Sequence, residues 1–143
     1  MRVAIASDHG GLRIKHELIA FMNEMGITYH DFGCSAEDGS VDYPDYAKPV
    51  AKAVASGEFD RGVLVCGTGI GMSIAANKVD GVRCALLHDT FSAEATRAHN
   101  NSNVIAMGER VIGAGLARLI LKVWLETAYE GGRHDVRVAK IEC

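Results

Sequence analysis

A chain of 143 residues with 15 Lys and Arg against 18 Asp and Glu carries a net charge of −3. That length suits one domain, residues 1–143, with a core that needs no disulfide or metal staple. At 48% hydrophobic and 23% charged residues the composition is that of a globular protein and excludes disordered, collagen-like and coiled-coil classes. The lack of any basic block argues against nucleic acid or a membrane surface as partner.

No apolar run approaches the roughly 18–20 residues of a membrane span, and the first apolar stretch meets Asp8 too early for a signal peptide. Cys34, Cys66, Cys84 and Cys143 lack paired spacing, which predicts neither a zinc site nor a disulfide framework and suits a reducing, cytoplasmic setting.

In chain order, 2–7 reads as a buried strand and 11–25 as a helix that Gly26 closes. A second strand is expected over 27–32. Pro44 opens a helix to about Ser56, where Gly57 ends it. Residues 62–65 form a third strand stopping at Cys66, and 72–78 a short helix. Further elements follow: a strand over 82–87, a helix over 90–99, a strand over 104–107, an amphipathic helix over 111–128 and a last helix after Gly131-Gly132. Alternating strands and helices predict an α/β fold: a three-layer α/β/α Rossmann-like domain with a five-stranded parallel sheet. Ligands in such sheets sit beyond the carboxyl ends of the strands, at the switch point.

Several groups of residues could carry chemistry, each with a plain structural alternative. Asp8, at the end of the first strand, caps a helix or, with His9, meets a polar ligand at that helix start. Cys66-Gly67-Thr68-Gly69-Ile70-Gly71 lets successive backbone N–H groups converge on a small anion beside a thiol. Alternatively, the cysteine ends a strand and the glycines serve packing. The turn is not a dinucleotide fingerprint, since Met72 stands where the third glycine belongs, nor a P-loop, since no Gly-Lys-Ser/Thr occurs. Met72 also occupies the place of a thiol phosphatase arginine. His99 sits at a helix end, where capping suffices to explain it, and Arg110 has Glu109 as a possible partner. Arg133 and Arg137 are i,i+4 on one helix face and suit a phosphate, or else form a solvated face paired with Asp135 or Glu130. Leu116, Leu119, Ile120, Val123 and Trp124 make an apolar helix stripe, read as core or subunit interface.

Five segments then coincide in order: Ser7-Asp8-His9-Gly10-Gly11, Asp42-Tyr43-Pro44-Asp45-Tyr46-Ala47, Cys66 through Lys78, His99-Asn100-Asn101-Ser102-Asn103 and Glu130-Gly131-Gly132-Arg133-His134. Over essentially its whole length the chain resembles the type B sugar-phosphate isomerases, most closely the type B ribose-5-phosphate isomerases. The resemblance implies an aldose–ketose isomerisation without metal or cofactor. Cys66 would be the base, Thr68 would assist proton movement at the substrate oxygens, and His99 would open the sugar ring with help from Asp8. The backbone of Gly67, Gly69, Ile70, Gly71, Met72 and Ser73 would hold the enediolate. His9, Arg133 and Arg137 would meet the phosphate, with Asn100 and Arg110 as further substrate contacts. Some members use a glutamate in place of the cysteine; here Cys66 is present and position 71 is glycine. The family implies a homodimer, with homotetramers also known, whose sites take His99, Asn100 and Arg110 from the partner. Rival substrates within the same scaffold are allose 6-phosphate, galactose 6-phosphate and four-carbon ketose phosphates. A non-catalytic sugar-phosphate-binding module would need neither the thiol nor the ring-opening histidine.

Overall fold

The computed structural model describes all of residues 1–143. Five strands, β1 (Arg2–Ser7), β2 (Thr28–Asp31), β3 (Arg61–Cys66), β4 (Cys84–Leu86) and β5 (Val104–Gly108), form one parallel sheet in the order β2-β1-β3-β5-β4. The helices are α1 (Leu12–Glu24), α2 (Pro44–Ala55), α3 (Ile70–Ala76), α4 (Thr90–Asn100), α5 (Ala114–Glu126) and α6 (Arg133–Ile141). No helix is long and apolar enough to cross a membrane.

Alternation along the strands divides the core into two. Val3 and Ile5 of β1, Val63 and Val65 of β3, and Ile105 and Met107 of β5 face α1 and α5. Ala4, Ala6, Leu64, Cys66, Val104 and Ala106 face α2 and α3. Both sheet faces are covered, so the strands read as continuous apolar runs. The expected three layers and five parallel strands are therefore present.

Element ends differ from the sequence reading for local reasons. The short helix begins at Ile70, two residues before the predicted start, because Gly69 at φ +76° turns the chain directly into it. The predicted helix over 111–128 shrinks to Ala114–Glu126: the N–H groups of Val111 and Ile112 bond back to Gly108 and belong to a turn. The strand expected over 82–87 shortens to three residues at the sheet edge, where the Asn77 side chain brackets Cys84 with two hydrogen bonds, of 2.9 and 2.8 Å. The apolar stripe of α5 splits. Ile120 and Trp124 are core, whereas Leu116 and Leu119 are exposed, because the buried face runs instead through Ala117, Leu121 and Leu125.

Candidate active site

β1 and β3 are neighbours, but the chain leaves β1 toward β2 on one side and β3 toward β4 on the other. This divergence opens a crevice beyond their carboxyl ends. A cleft of about 260 Å³ lies there, lined by Asp8, His9, Tyr43, Cys66, Thr68 and Arg110 together with Gly10, Gly67 and Gly71.

Cys66 ends β3 at 5% exposure, and its Sγ accepts the N–H of Gly69 at 3.1 Å. An N–H aimed at sulfur is the contact that a thiolate makes best. Gly69 is required here: a Cβ would stand 2.7 Å from Leu86 Cδ1 and 2.8 Å from the Met107 carbonyl carbon. The Ile70 N–H donates to Thr68 Oγ1 at 3.3 Å, while the Ser73 N–H is already spent on Gly69 O within the helix. Ser73 therefore drops out of the predicted anion cradle through its backbone; its hydroxyl also turns inward, to Ile70 O at 2.8 Å. The N–H groups of Gly67, Thr68, Gly71 and Met72 donate to no protein acceptor, leaving several donors for an oxyanion.

Asp8 does what a cap does, accepting the Gly10 N–H at 2.8 Å, and still lines the cleft. His9 Nδ1 accepts the Val41 N–H at 3.1 Å. In the neutral ring that leaves the proton on Nε2, a donor without a protein partner. Arg110 lies over Gly67, whose added Cβ would be 3.6 Å from Arg110 Cδ and Nε. Glu109 does not pair with it: that carboxylate accepts the Ile14 N–H at 3.0 Å and faces Arg13 at 3.6 Å. Arg110 was expected from a partner subunit; instead the cleft of a single chain contains it, because its N–H bonds to Gly67 O at 2.9 Å.

The remaining predicted residues lie elsewhere. α4 runs back from the end of β4 to the start of β5, so His99 and Asn100 stand toward the opposite end of the strands from Cys66. Its 11 residues span about 16 Å. Asn100 lines a separate cavity of about 250 Å³ with Asn77, Arg83 and Cys84. α6 packs on α4 and carries Arg133 and Arg137 on its exposed face. The alternative pairing of these arginines is absent: Asp135 accepts the Tyr129 hydroxyl at 2.7 Å and Glu130 faces His134. The fold also brings His99, some thirty residues earlier in the chain, against Glu130 and His134.

Sequence reasoning assigned no role to two residues that shape the site. Tyr43 lies so close over Gly71 that a Cβ there would sit 2.7 Å from the ring; its place in the Asp-Tyr-Pro segment was the available signal. His88 Nε2 accepts the Gly108 N–H at 3.2 Å and so holds the end of β5 that abuts the loop. Nothing in the sequence marks that contact.

These features describe an α/β protein whose switch-point cleft joins a thiol to a cradle of backbone donors and five polar side chains, the equipment of an enzyme acting on a small anionic substrate. The model of the ribose/galactose isomerase family matches residues 3–141. A Bacillus subtilis protein whose name goes no further than a provisional sugar phosphate isomerase is 66% identical over 141 residues, 99% of this chain and 95% of that one. Escherichia coli ribose-5-phosphate isomerase B is 47% identical over 98% of this chain and 93% of its own length. A Pectobacterium atrosepticum D-erythrulose-4-phosphate isomerase is 42% identical over 99% and 93%. The solved structure of Clostridium thermocellum ribose-5-phosphate isomerase B superposes with a TM-score of 0.96 at 48% identity, covering 99% of this chain and 95% of that one. The chain belongs to the ribose/galactose isomerase family and is a sugar-phosphate isomerase.

Proposed function

We propose that this enzyme interconverts ribose 5-phosphate and ribulose 5-phosphate through an enediolate, in the cytoplasm, as one domain spanning residues 1–143 and without metal or cofactor. The observation that carries the reading is the Gly69 N–H directed at Cys66 Sγ in a cleft with spare backbone donors. The Cys66 thiolate takes the proton from C2 of the open-chain aldose and returns it to C1. The hydroxyl proton passes from O2 to O1 with help from Thr68. Charge that develops on oxygen falls to the N–H groups of Gly67, Thr68, Gly71 and Met72, fixed donors that need no reorganisation when the anion forms. The Ile70 N–H belongs to the same loop but is shared with Thr68 Oγ1.

The functional unit is a homodimer with shared sites. Asp8, His9, Cys66, Thr68 and Arg110 of one chain would meet His99, Asn100, Arg133 and Arg137 of a second copy, because one chain holds Cys66 and His99 toward opposite ends of the strands. His99 then opens the furanose ring, aided by Asp8, and both arginines with His9 Nε2–H hold the phosphate. Exposed apolar side chains, Phe91 at 80% exposure and Ile70 and Ile74, support burial against a second copy.

The test is a panel of five-, six- and four-carbon aldose and ketose phosphates, assayed with wild type and Cys66→Ala in the presence of EDTA. Turnover should be highest on the five-carbon pair and untouched by chelator. The Cys66→Ala protein should lose about 10²–10⁴-fold in kcat, the range for loss of a general base, while still binding the sugar phosphate. More than about a tenth of the activity remaining in Cys66→Ala would remove the thiol from proton transfer. Highest turnover on a four- or six-carbon pair would reassign the substrate.

A further inference from the structure

Three side chains converge where α4 ends and α6 begins. The imidazoles of His99 and His134 stack with centroids 4.5 Å apart and planes 15° apart. Glu130 Oε2 lies 3.4 Å from His134 Nε2 and 4.0 Å from His99 Nε2, and one ligand atom from each residue falls within 4.8 Å of the others. The backbone fixes this meeting. The Glu130 N–H donates to Ala98 O at 3.0 Å, tying the segment after α5 to the last turn of α4, and His134 follows four residues later on α6.

A second, independent feature singles out the cluster. His134 is 6% exposed, yet its Nε2 has no hydrogen-bond partner. A buried ring nitrogen left unpaired costs free energy, and the Glu130 carboxylate oxygen 3.4 Å away does not satisfy it. Zinc bonds His nitrogen and carboxylate oxygen at about 2.0–2.2 Å, which puts tetrahedral donors roughly 3.3 Å apart. The Glu130–His134 pair already has that spacing. His99, whose side chain is 44% exposed, must turn out of its stack with His134 and close the 4.0 Å gap to Glu130, a change of rotamer that an exposed side chain can make. An adjoining cleft of about 220 Å³, which His99, Glu130, Phe91 and Glu94 help to line, has room for a water as fourth ligand.

We propose that His99, Glu130 and His134 form a binding site for a divalent transition-metal ion of the zinc type. Two imidazoles and one carboxylate suit Zn²⁺, Co²⁺, Ni²⁺ or Cu²⁺ rather than Mg²⁺ or Ca²⁺, which want oxygen. The ion is no part of the isomerase reaction. It occupies the imidazole that ring opening needs, so metal and cyclic substrate exclude each other and the site is inhibitory. That consequence, unlike the site itself, rests on the role proposed above for His99.

The experiment uses the full chain stripped with EDTA, reduced, and titrated with Co²⁺ as the spectroscopic probe. Expected is one ion per chain with the visible absorption of a four-coordinate nitrogen–oxygen site and no thiolate-to-cobalt band. Affinity should fall roughly tenfold or more in Glu130→Gln and in His134→Gln, since even outer-shell losses act on that scale. Glu130 is exposed, so Glu130→Gln keeps the test sound if the buried His134 variant fails to fold. Absence of saturable binding, unchanged affinity in Glu130→Gln, or a thiolate band would overturn the site. Zn²⁺ held by the triad with turnover of the cyclic substrate unaffected would uphold the site and remove His99 from ring opening. Loss of metal binding by itself would leave the isomerase reading intact.

Discussion

Within its own chain His99 stacks on the His134 ring and faces the Glu130 carboxylate, toward the far end of the strands from Cys66. If its task is ring opening, its loss should matter only for substrates that must open. His99→Asn should therefore slow turnover of the cyclic aldose phosphate strongly and of an open-chain analogue little; equal losses on both would end the assignment. Arg133 and Arg137 sit exposed on one face of α6 with no acidic partner. Phosphate binding is uniform along the reaction coordinate, because the phosphate does not change. Arg137→Ala should accordingly raise KM about tenfold or more while kcat falls only as far as positioning is lost. A wild-type KM would leave it as surface charge. The other thiols are poor candidates for chemistry: burial raises Cys34 and pushes Cys84 up to about 12. At pH 8 alkylation should mark exposed Cys143 and spare both, as peptide mapping would record.

The loop between β3 and α3 is built by close approach. Gly69 occupies φ +76° against the Met107 backbone and the Leu86 side chain, and the same residue supplies the N–H to Cys66 Sγ. Alanine there meets both a left-handed backbone and a contact under 3.0 Å. Gly69→Ala should cost about 1–3 kcal/mol, the scale of such strain, seen as a lower urea midpoint. It should also lower kcat by more than the lost folded fraction explains, because the cradle moves with the loop. Normal kcat in the folded fraction would detach the loop from the chemistry.

At the scale of the molecule, the split between Cys66 and His99 makes a definite demand on assembly. A chain with Cys66→Ala still offers His99, and one with His99→Asn still offers Cys66. Mixed from equal amounts, a symmetric dimer with shared sites should recover about a quarter of wild-type activity on the cyclic substrate, since half the dimers are mixed and each holds one intact site. Recovery near zero, with light scattering reporting dimers, would mean that each site belongs to one chain. The layer architecture was readable beforehand because apolar periodicity and glycine punctuation are local properties, and they placed every strand and helix to within a few residues. Cys66, with its glycine loop, was readable for the same reason: a strand end, a thiol and a left-handed turn lie within four positions. Strand order, by contrast, is settled by which faces pack together, and with it the crevice between β1 and β3 that gathers Asp8, Tyr43 and Arg110 around the thiol. The direction of α4, which carries His99 away from that crevice, and the meeting of His99, Glu130 and His134 depend on helix–helix packing between segments some thirty residues apart, a contact that leaves no mark on neighbouring residues.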